Sequence, residues 1–469
     1  MIPTAKNVAV IGAGSAGVCA AKHLLTAGHR VTVYELGSYV GGLWKYENDN
    51  GKSQAYDRLA IITPRDRTQF EGFPFDKDTP RFPTHRDMYR YLHSFAEHYG
   101  VMEHIRFNTE VKWIEPDFEP NREEPRWIVR LADGTEETYD SVIVATGHLN
   151  EPAHVEWFQR EFAGTYLHAN SYRNPLPFVD QRVAVVGTGN TGVDIAHDLC
   201  NVAGRTVLVA RSPVRIQPKV VLGIAYPDVA LSLRKPWIPA WIRDRILNAL
   251  VYLAHGDQSR LGFEKPTARQ HPTSSEYIVS DIEFGRVIVK PGIEKIDGKT
   301  LTFADGSSEE FDVIIAATGY KVHLPFVPPE VVKVEGNKVD LYKRIFPVDW
   351  PGLFFVGMLN PLTAYAQVFE AQMKVITQHL GGNFPLPDRE EMLASIEYDQ
   401  AVARATYTDS PRHELEEADP NYPLSLRSVQ VEGYLRKRFR GRVPAPLRTS
   451  VGRWIAGQIV KEKLQPRVR

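Results

Sequence analysis

Gly12, Gly14 and Gly17 punctuate the stretch "VIGAGSAGV", and Gly187, Gly189 and Gly192 punctuate "VVGTGNTGV". Each trio stands between a short apolar run that reads as a strand and a run that reads as a helix. The chemistry open to such a turn is a grip on a pyrophosphate. The first glycine allows the tight turn, the second lets the backbone approach the phosphates, and the third lets the helix pack on the strand. A helix N-terminus then offers unpaired N–H groups and a partial positive charge. Ser15, Asn190 and Thr191 lie inside these turns and count with the glycines as cofactor-binding candidates.

The residues about 20 positions on give the two turns opposite tasks. After the first, "HRVTVYE" ends in Glu35. A carboxylate there accepts two hydrogen bonds from a ribose diol and repels a 2′-phosphate, which fits FAD or NAD. The next segment adds Gly41, Gly42, Leu43 and Trp44, a second close backbone approach that suits the longer FAD. After the second turn, "RTVLVAR" ends in Arg211, followed by Ser212. A guanidinium beside a hydroxyl pairs with a 2′-phosphate, so this site reads as one for NADPH.

The elements that must position these residues are written twice. "LADGTEETYDSVIVATG" and "FADGSSEEFDVIIAATG" each read as a hairpin turned at Asp-Gly, then a buried strand ending in Ala-Thr-Gly. Thr146 and Gly147 close the first copy. Thr318 and Gly319 close the second, with Tyr320 after them, and all five join the cofactor-binding candidates. The order nucleotide turn, hairpin, ATG, repeated once, predicts an α/β chain with two Rossmann-like dinucleotide-binding domains.

Composition narrows the setting. A chain of 469 residues suggests two or three domains, and a formal net charge of −1 gives no basic surface for nucleic acid. The two cysteines, Cys19 and Cys200, exclude a disulfide framework or a CxxC pair and point to a reducing, cytoplasmic compartment. No segment has the spacing of a metal site, and His23, His29 and His85 read as ordinary helix or loop residues. There is no apolar run of membrane-spanning length. "WIRDRILNALVYLAHG" (241–256) reads as an amphipathic helix packed in an interior or interface rather than lying on a membrane. Residues 116–125 read as an exposed charged hairpin tip and 437–448 as a basic surface stretch. A homodimer stays open.

"FAGTYLHANSY" lies between the first ATG and the second turn, with Phe162, Gly164, His168 and Tyr172 in the pattern FxGxxxHxxxY. Together with GAGSAG, GGLW, GTGNTG and ATGY, it resembles the fingerprint of class B flavin-dependent monooxygenases. The final tyrosine resembles the flavin-containing monooxygenase branch; the Baeyer–Villiger branch usually shows Trp-Pro there. The resemblance implies an NADPH domain (156–320, with the linker 162–172) inserted into an FAD domain (1–155 and 321–469). It implies a reaction in which NADPH reduces FAD, O2 forms a flavin C4a-hydroperoxide, and a small soft nucleophile (amine, sulfide) or a carbonyl or 2-oxo acid substrate is oxygenated. His168 is then a hinge or hydrogen-bonding residue, or a proton shuttle.

For the catalytic candidates the resemblance is looser. In amine- and sulfide-oxidising relatives an asparagine stands where this chain has Ile62, which leaves Thr63 as the nearest hydrogen-bonding side chain. Asn360, at the turn before a helix expected to begin near Thr363, is the second candidate. Arg65 is open to a pyrophosphate, an acidic substrate or solvent. Residues 216–265 and 400–440, outside the repeat, are expected to shape the substrate pocket. The rivals are a Baeyer–Villiger enzyme on ketones, an NADPH-dependent flavoprotein reductase, and a nucleotide sensor without catalysis.

Overall fold

Runs such as Val8-Ala9-Val10-Ile11 and Val183-Ala184-Val185-Val186 are apolar at every position, the pattern of strands covered on both faces. The computed structural model, which describes residues 5–120, 122, 124–234, 237–407, 414–416 and 422–438, places them at the centres of two sheets. In chain order the sheet strands are β1 (Asn7–Ile11), β2 (Arg30–Tyr34), β3 (Ile105–Arg106), β4 (Ser141–Val144), β5 (Thr165–His168), β6 (Arg182–Val186), β7 (Arg205–Val209), β8 (Val287–Lys290), β9 (Val313–Ala316) and β10 (Leu353–Phe355). The first sheet runs β10-β4-β1-β2-β3 and the second β8-β7-β6-β9-β5. Every pairing in both is parallel.

Alternate residues of each central strand face different layers. In the first sheet Val8 and Val10 pack under helices α1 (Ser15–Thr26) and, much later in the chain, Tyr365–Leu380. Ala9 and Ile11 meet the antiparallel strands around Ile114, Trp127 and Val129. In the second sheet Val183 and Val185 lie under α2 (Asn190–Leu199), while Ala184 and Val186 meet Phe158, Phe162, Phe303 and Phe311. Helices α3 (Ala240–His255) and α4 (Tyr365–Leu380) follow in the chain. The unit built on the second sheet is an insertion. The chain leaves the first sheet through Glu151–Pro152 and returns through Tyr320–Lys321, and the two segments pair antiparallel.

Two expectations change here. The fingerprint segment is no free linker, because Thr165–His168 is the edge strand β5, paired with β9. Gly164 lets it dock: a Cβ there would lie 2.5 Å from the Asp312 carbonyl oxygen. Helix α3 forms as read, yet only one face packs inside: Val251 is buried against Val221 and Tyr226, while Trp241, Tyr252 and Leu253 are each more than 60% exposed. Its apolar residues, 241, 242, 246, 247 and 250–253, circle the axis, so no single neighbour covers them. Among the described residues no helix is long and apolar enough to cross a membrane. Phe118, in the 116–125 tip, is exposed as expected. Of the basic stretch 437–448, residues 439–448 lie outside the described residues.

Candidate active site

The first glycine turn is built by close contact. Gly12 has φ +99°, and a Cβ there would lie 2.9 Å from the Ala145 carbonyl oxygen at the end of β4. Gly41 donates its N–H to the Ala13 carbonyl at 2.9 Å, which lays the Gly41-Gly42 backbone on the turn. A Cβ on Gly42 would lie 3.0 Å from the Gly14 Cα. Asn48 Nδ2 donates to the Gly42 carbonyl (3.1 Å) and Ser53 Oγ to that of Leu43 (3.2 Å), fixing the single turn Gly42–Trp44. Glu35 is buried. Its Oε2 accepts from Ala13 N–H at 2.7 Å, and its Oε1 from Gly37 N–H (3.0 Å) and Asn50 Nδ2 (3.1 Å). Three donors leave part of a carboxylate's acceptor capacity open for a diol.

Beyond this cradle, at the carboxyl ends of neighbouring parallel strands, three buried polar atoms have no hydrogen-bond partner. They are Thr146 Oγ1 after β4, His148 Nε2 two residues on, and Thr363 Oγ1 between β10 and α4. Unpartnered buried polar atoms are costly and rare. His148 Nδ1 lies 3.1 Å from the Gly357 carbonyl, so it donates there and Nε2 is the ring's acceptor, with the Asn360 side chain nearby. Burial holds its pKa below the ordinary histidine value. No side chain caps α1 or α4, leaving their first N–H groups and positive dipole ends for an anion. A glycine cradle, a ribose carboxylate, orphaned donors and acceptors and two uncapped helix ends fit FAD.

The catalytic candidates sit apart in their bonding. Asn360 is held by its neighbours: Nδ2 donates to Glu416 Oε1 at 3.1 Å, and Tyr365 OH donates to Oδ1 at 3.1 Å. Thr63 Oγ1 lies 2.8 Å from Thr68 Oγ1, inside its own loop. Arg65 donates to the carbonyls of Lys77 (2.6 Å) and Thr79, so it clasps the 76–79 loop. Arg67, from the same turn, reaches Asp228 at 2.9 Å in the inserted unit, which brings this loop onto the 216–265 region.

The second turn repeats the first in backbone and departs from it in side chains. Gly187 has φ +116°, with a would-be Cβ 2.4 Å from the Ala317 carbonyl oxygen. Gly189 caps α2 without a side-chain bond. Asn190 faces protein: Oδ1 accepts from Ser274 N–H at 2.8 Å and Nδ2 donates to the Pro272 carbonyl at 3.2 Å. Arg211 and Ser212 are exposed, and the Arg211 stem rests on Gly292. Arg211 makes no ion pair with any described residue. Ser15 and Thr191 are half-buried.

The second ATG is used for tethering. Thr318 Oγ1 donates to the Ala153 carbonyl at 2.6 Å, and the Gly319 carbonyl accepts from Ala153 N–H at 3.0 Å. Tyr320 belongs to the return segment and stands edge-on to the His168 ring. Both His168 nitrogens are occupied: Nε2 donates to the Gly319 carbonyl (3.0 Å) and Nδ1 accepts from Asn170 N–H (3.2 Å). Burial lowers its pKa, with His154 adding to the effect. The ring thus bonds on both sides at the crossover between the two sheets.

Tyr172 is buried and donates to Asp198 Oδ2 at 2.6 Å on α2. Beside it Tyr56, from the flavin-side chain, donates to Asp194 Oδ2 at 2.8 Å, so both tyrosines hold the helix of the second turn.

Several functional side chains escaped sequence reasoning. His148 directly follows an ATG strand end, a signal that was there to use. Glu416, His271 and Tyr56 are brought in from far along the chain and carry no local pattern. Two clusters of metal-ligating types also assemble, Cys19-His23-Glu370 and His197-Cys200-Asp281. Each is already bonded within, His23 Nε2 to Glu370 at 2.5 Å and His197 Nδ1 to Asp281 at 2.6 Å, with Lys22 and Arg286 adjoining.

The flavin-binding monooxygenase-like family matches residues 5–422. Flavin-containing monooxygenase 5 of Oryctolagus cuniculus is 32% identical over 433 residues, covering 88% of this chain and 80% of its own length. Flavin-containing monooxygenase 1 of Rattus norvegicus is 29% identical over 413 residues, 83% of this chain and 76% of its own. Among solved structures, S-allyl-L-cysteine S-oxygenase from Allium sativum superimposes with a TM-score of 0.67 at 25% identity, covering 99% of both chains. NADP+-bound cyclohexanone monooxygenase from Rhodococcus sp. Phi1 gives 0.64 at 18% identity, over 92% of this chain and 98% of its own, a likeness of fold alone.

Proposed function

The chain belongs to the flavin-binding monooxygenase-like family, and from that premise we propose how its residues divide the work. It is an FAD- and NADPH-dependent monooxygenase acting on O2 and a small organic substrate. FAD, reduced by NADPH, supplies the activation of O2 and the delivery of one oxygen atom, the other leaving as water.

In this reading the boundaries are 1–155 and 321–469 for the FAD domain and 156–320 for the NADPH domain. Gly12, Gly14, Ser15, Gly17 and the Gly42–Trp44 turn hold the FAD pyrophosphate, and Glu35 takes its ribose diol. Thr146, Gly147, His148 and Thr363 hydrogen-bond the flavin end. Uncapped N–H groups of α4 favour negative charge there. Gly187, Gly189, Thr191 and Gly192 hold the NADPH pyrophosphate, with Arg211 and Ser212 on its 2′-phosphate. Asn190, Thr318, Gly319 and Tyr320 act one step back, positioning the turn and the crossover, and His168 ties the two domains. Thr63 and Ile62 form an apolar, self-satisfied loop that excludes water from the reacting centre. The compartment we assign is the cytoplasm, from the two unpaired cysteines.

For the substrate we propose a sulfide sulfur or amine nitrogen. The likeness to the Allium sativum S-oxygenase along nearly the whole chain supports this over a ketone. The observation that carries the assignment of the flavin end is the row of orphaned atoms Thr146 Oγ1, His148 Nε2 and Thr363 Oγ1. The test is turnover of methyl phenyl sulfide and of cyclohexanone under 18O2 with NADPH, read by mass spectrometry. Sulfoxide carrying a single heavy oxygen is the expected product. Lactone without sulfoxide overturns the substrate class, and a colourless protein that rejects added FAD overturns the cofactor assignment.

A further inference from the structure

Glu416 is the one carboxylate of the molecule, among the described residues, with 0% exposure. Its own stretch of chain, residues 414–416, is pinned from the flavin side. Asn360 donates its N–H to the Leu415 carbonyl at 2.7 Å and its Nδ2 to Glu416 Oε1 at 3.1 Å. Arg344 donates to the Glu414 carbonyl at 3.1 Å. From the other side His271 Nδ1 comes within 3.0 Å of the same carboxylate. His271 opens the segment that lies on the second glycine turn. Pro272 and Ser274 bond to the Asn190 side chain, and Thr273 Oγ1 donates to the Thr188 carbonyl at 3.0 Å.

These bonds form one chain of contact. It runs from the NADPH turn through Asn190, the 271–274 segment and Glu416 to Asn360, and on to Tyr365 at the start of α4. A carboxylate fully removed from water is tolerated only where partners hold it on more than one side, and removing either partner leaves a costly remnant. Glu416 therefore has a preferred position only while both nucleotide sites stand in this relation. We propose that Glu416 is a positioning residue for hydride delivery. Through His271 on one side and Asn360 on the other, it sets how the NADPH turn is presented to the flavin end of the first site. The proposal rests on the FAD and NADPH assignments above.

The test separates presentation from binding. The holoenzyme is reduced anaerobically with NADPH, and flavin bleaching is followed at several NADPH concentrations; NADP+ affinity is measured separately by calorimetry. Glu416→Ala is expected to slow bleaching at saturating NADPH by about tenfold or more, because a displacement of about 1 Å is enough to spoil a reacting geometry. FAD content and NADP+ affinity stay within about twofold, since Arg211 and the glycine turn are untouched. Glu416→Gln, which keeps the shape and one acceptor oxygen for Asn360 and meets His271 with its amide, recovers most of the rate. His271→Ala gives a loss of similar size, and the double variant is no slower than Glu416→Ala within about twofold, as for residues acting through one contact.

Bleaching at the wild-type rate in Glu416→Ala and His271→Ala overturns the proposal, as do losses that multiply in the double variant. A loss confined to FAD content or to NADP+ affinity also overturns it. Should Glu416→Ala not fold, the His271 variants carry the same decision. Wild-type protein that NADPH does not bleach would refute the underlying cofactor reading instead.

Discussion

The two glycine turns share one backbone plan and differ in what their side chains are left free to do. Gly12 and Gly187 both sit at positive φ against the carbonyl that ends the neighbouring strand. At the first site Glu35 is buried and already bonded, while Thr146 Oγ1 is buried and unbonded. At the second, Arg211 is exposed and without an ion pair among the described residues, while Thr318 Oγ1 is bonded to Ala153. The first arrangement, with buried polar atoms free to bond a ligand, suits the resident flavin proposed for it. The second, with its guanidinium facing solvent, suits the NADPH proposed to come and go each cycle. On those assignments one backbone plan, written twice, serves both, and the side chains at matching positions set the difference.

The sharpest way to break this comparison is at the third glycines. A Cβ on Gly17 would lie 1.8 Å from the Gly12 carbonyl oxygen, and one on Gly192 would lie 2.0 Å from that of Gly187. Gly17→Ala should cost about 3 kcal/mol or more and yield protein without FAD. Gly192→Ala should yield yellow protein that NADPH fails to bleach; absorbance spectra before and after anaerobic NADPH separate the two. Next in size, Arg211→Ala should raise KM for NADPH by about 30-fold, roughly 2 kcal/mol, and leave that for NADH within about twofold. Steady-state kinetics with both nucleotides decide it, and equal loss for the two would assign Arg211 no part in reading the phosphate.

The threonine pair sharpens the contrast at lower amplitude. Thr318→Val removes a bonded hydroxyl and strands the Ala153 carbonyl, so Tm should report a loss of about 1 kcal/mol. Thr146→Val removes an unbonded one, so the FAD-free protein should keep its Tm while FAD washes out faster on dialysis. The comparison extends to pH. His148 and His168 are buried with pKa values held below the ordinary 6.5, so the unfolded chain takes up these protons first on acidification. Stability should be flat above that value and fall below it, by up to about 1.4 kcal/mol per unit for each histidine. Melting curves between about pH 7.5 and about pH 5.5 should show the fall, and His168→Asn should flatten part of it.

Much of this was legible in the chain because the signals are local. The turns, the Asp-Gly hairpins, the ATG strands and the Glu35 and Arg211 positions each occupy fewer than about 25 consecutive residues. The fingerprint was found and misjudged in form. Thr165–His168 holds in the second sheet the edge place that β10 holds in the first, beside β9 and β4 respectively. One sheet takes that strand from before its glycine turn and the other from long after it, so alignment of the repeats hides the equivalence. Asn360 was singled out, but its partner Glu416 was not. A buried carboxylate is recognisable only by what surrounds it, and its surroundings come from residues 271 and 360. Helix α3 shows the converse, a local pattern read correctly as helix, of which only the face around Val251 finds a partner among the described residues.

The chain's exit at Glu151–Pro152 and re-entry at Tyr320–Lys321 lie side by side, so the whole excursion between them passes through a single doorway. No strand of the first sheet comes from beyond that doorway, and none of the second from outside it. The inserted unit, proposed above to hold NADPH, is therefore exchangeable in principle. A lineage, or an engineer, can trade it for another unit with adjacent ends while the flavin housing keeps its strand order.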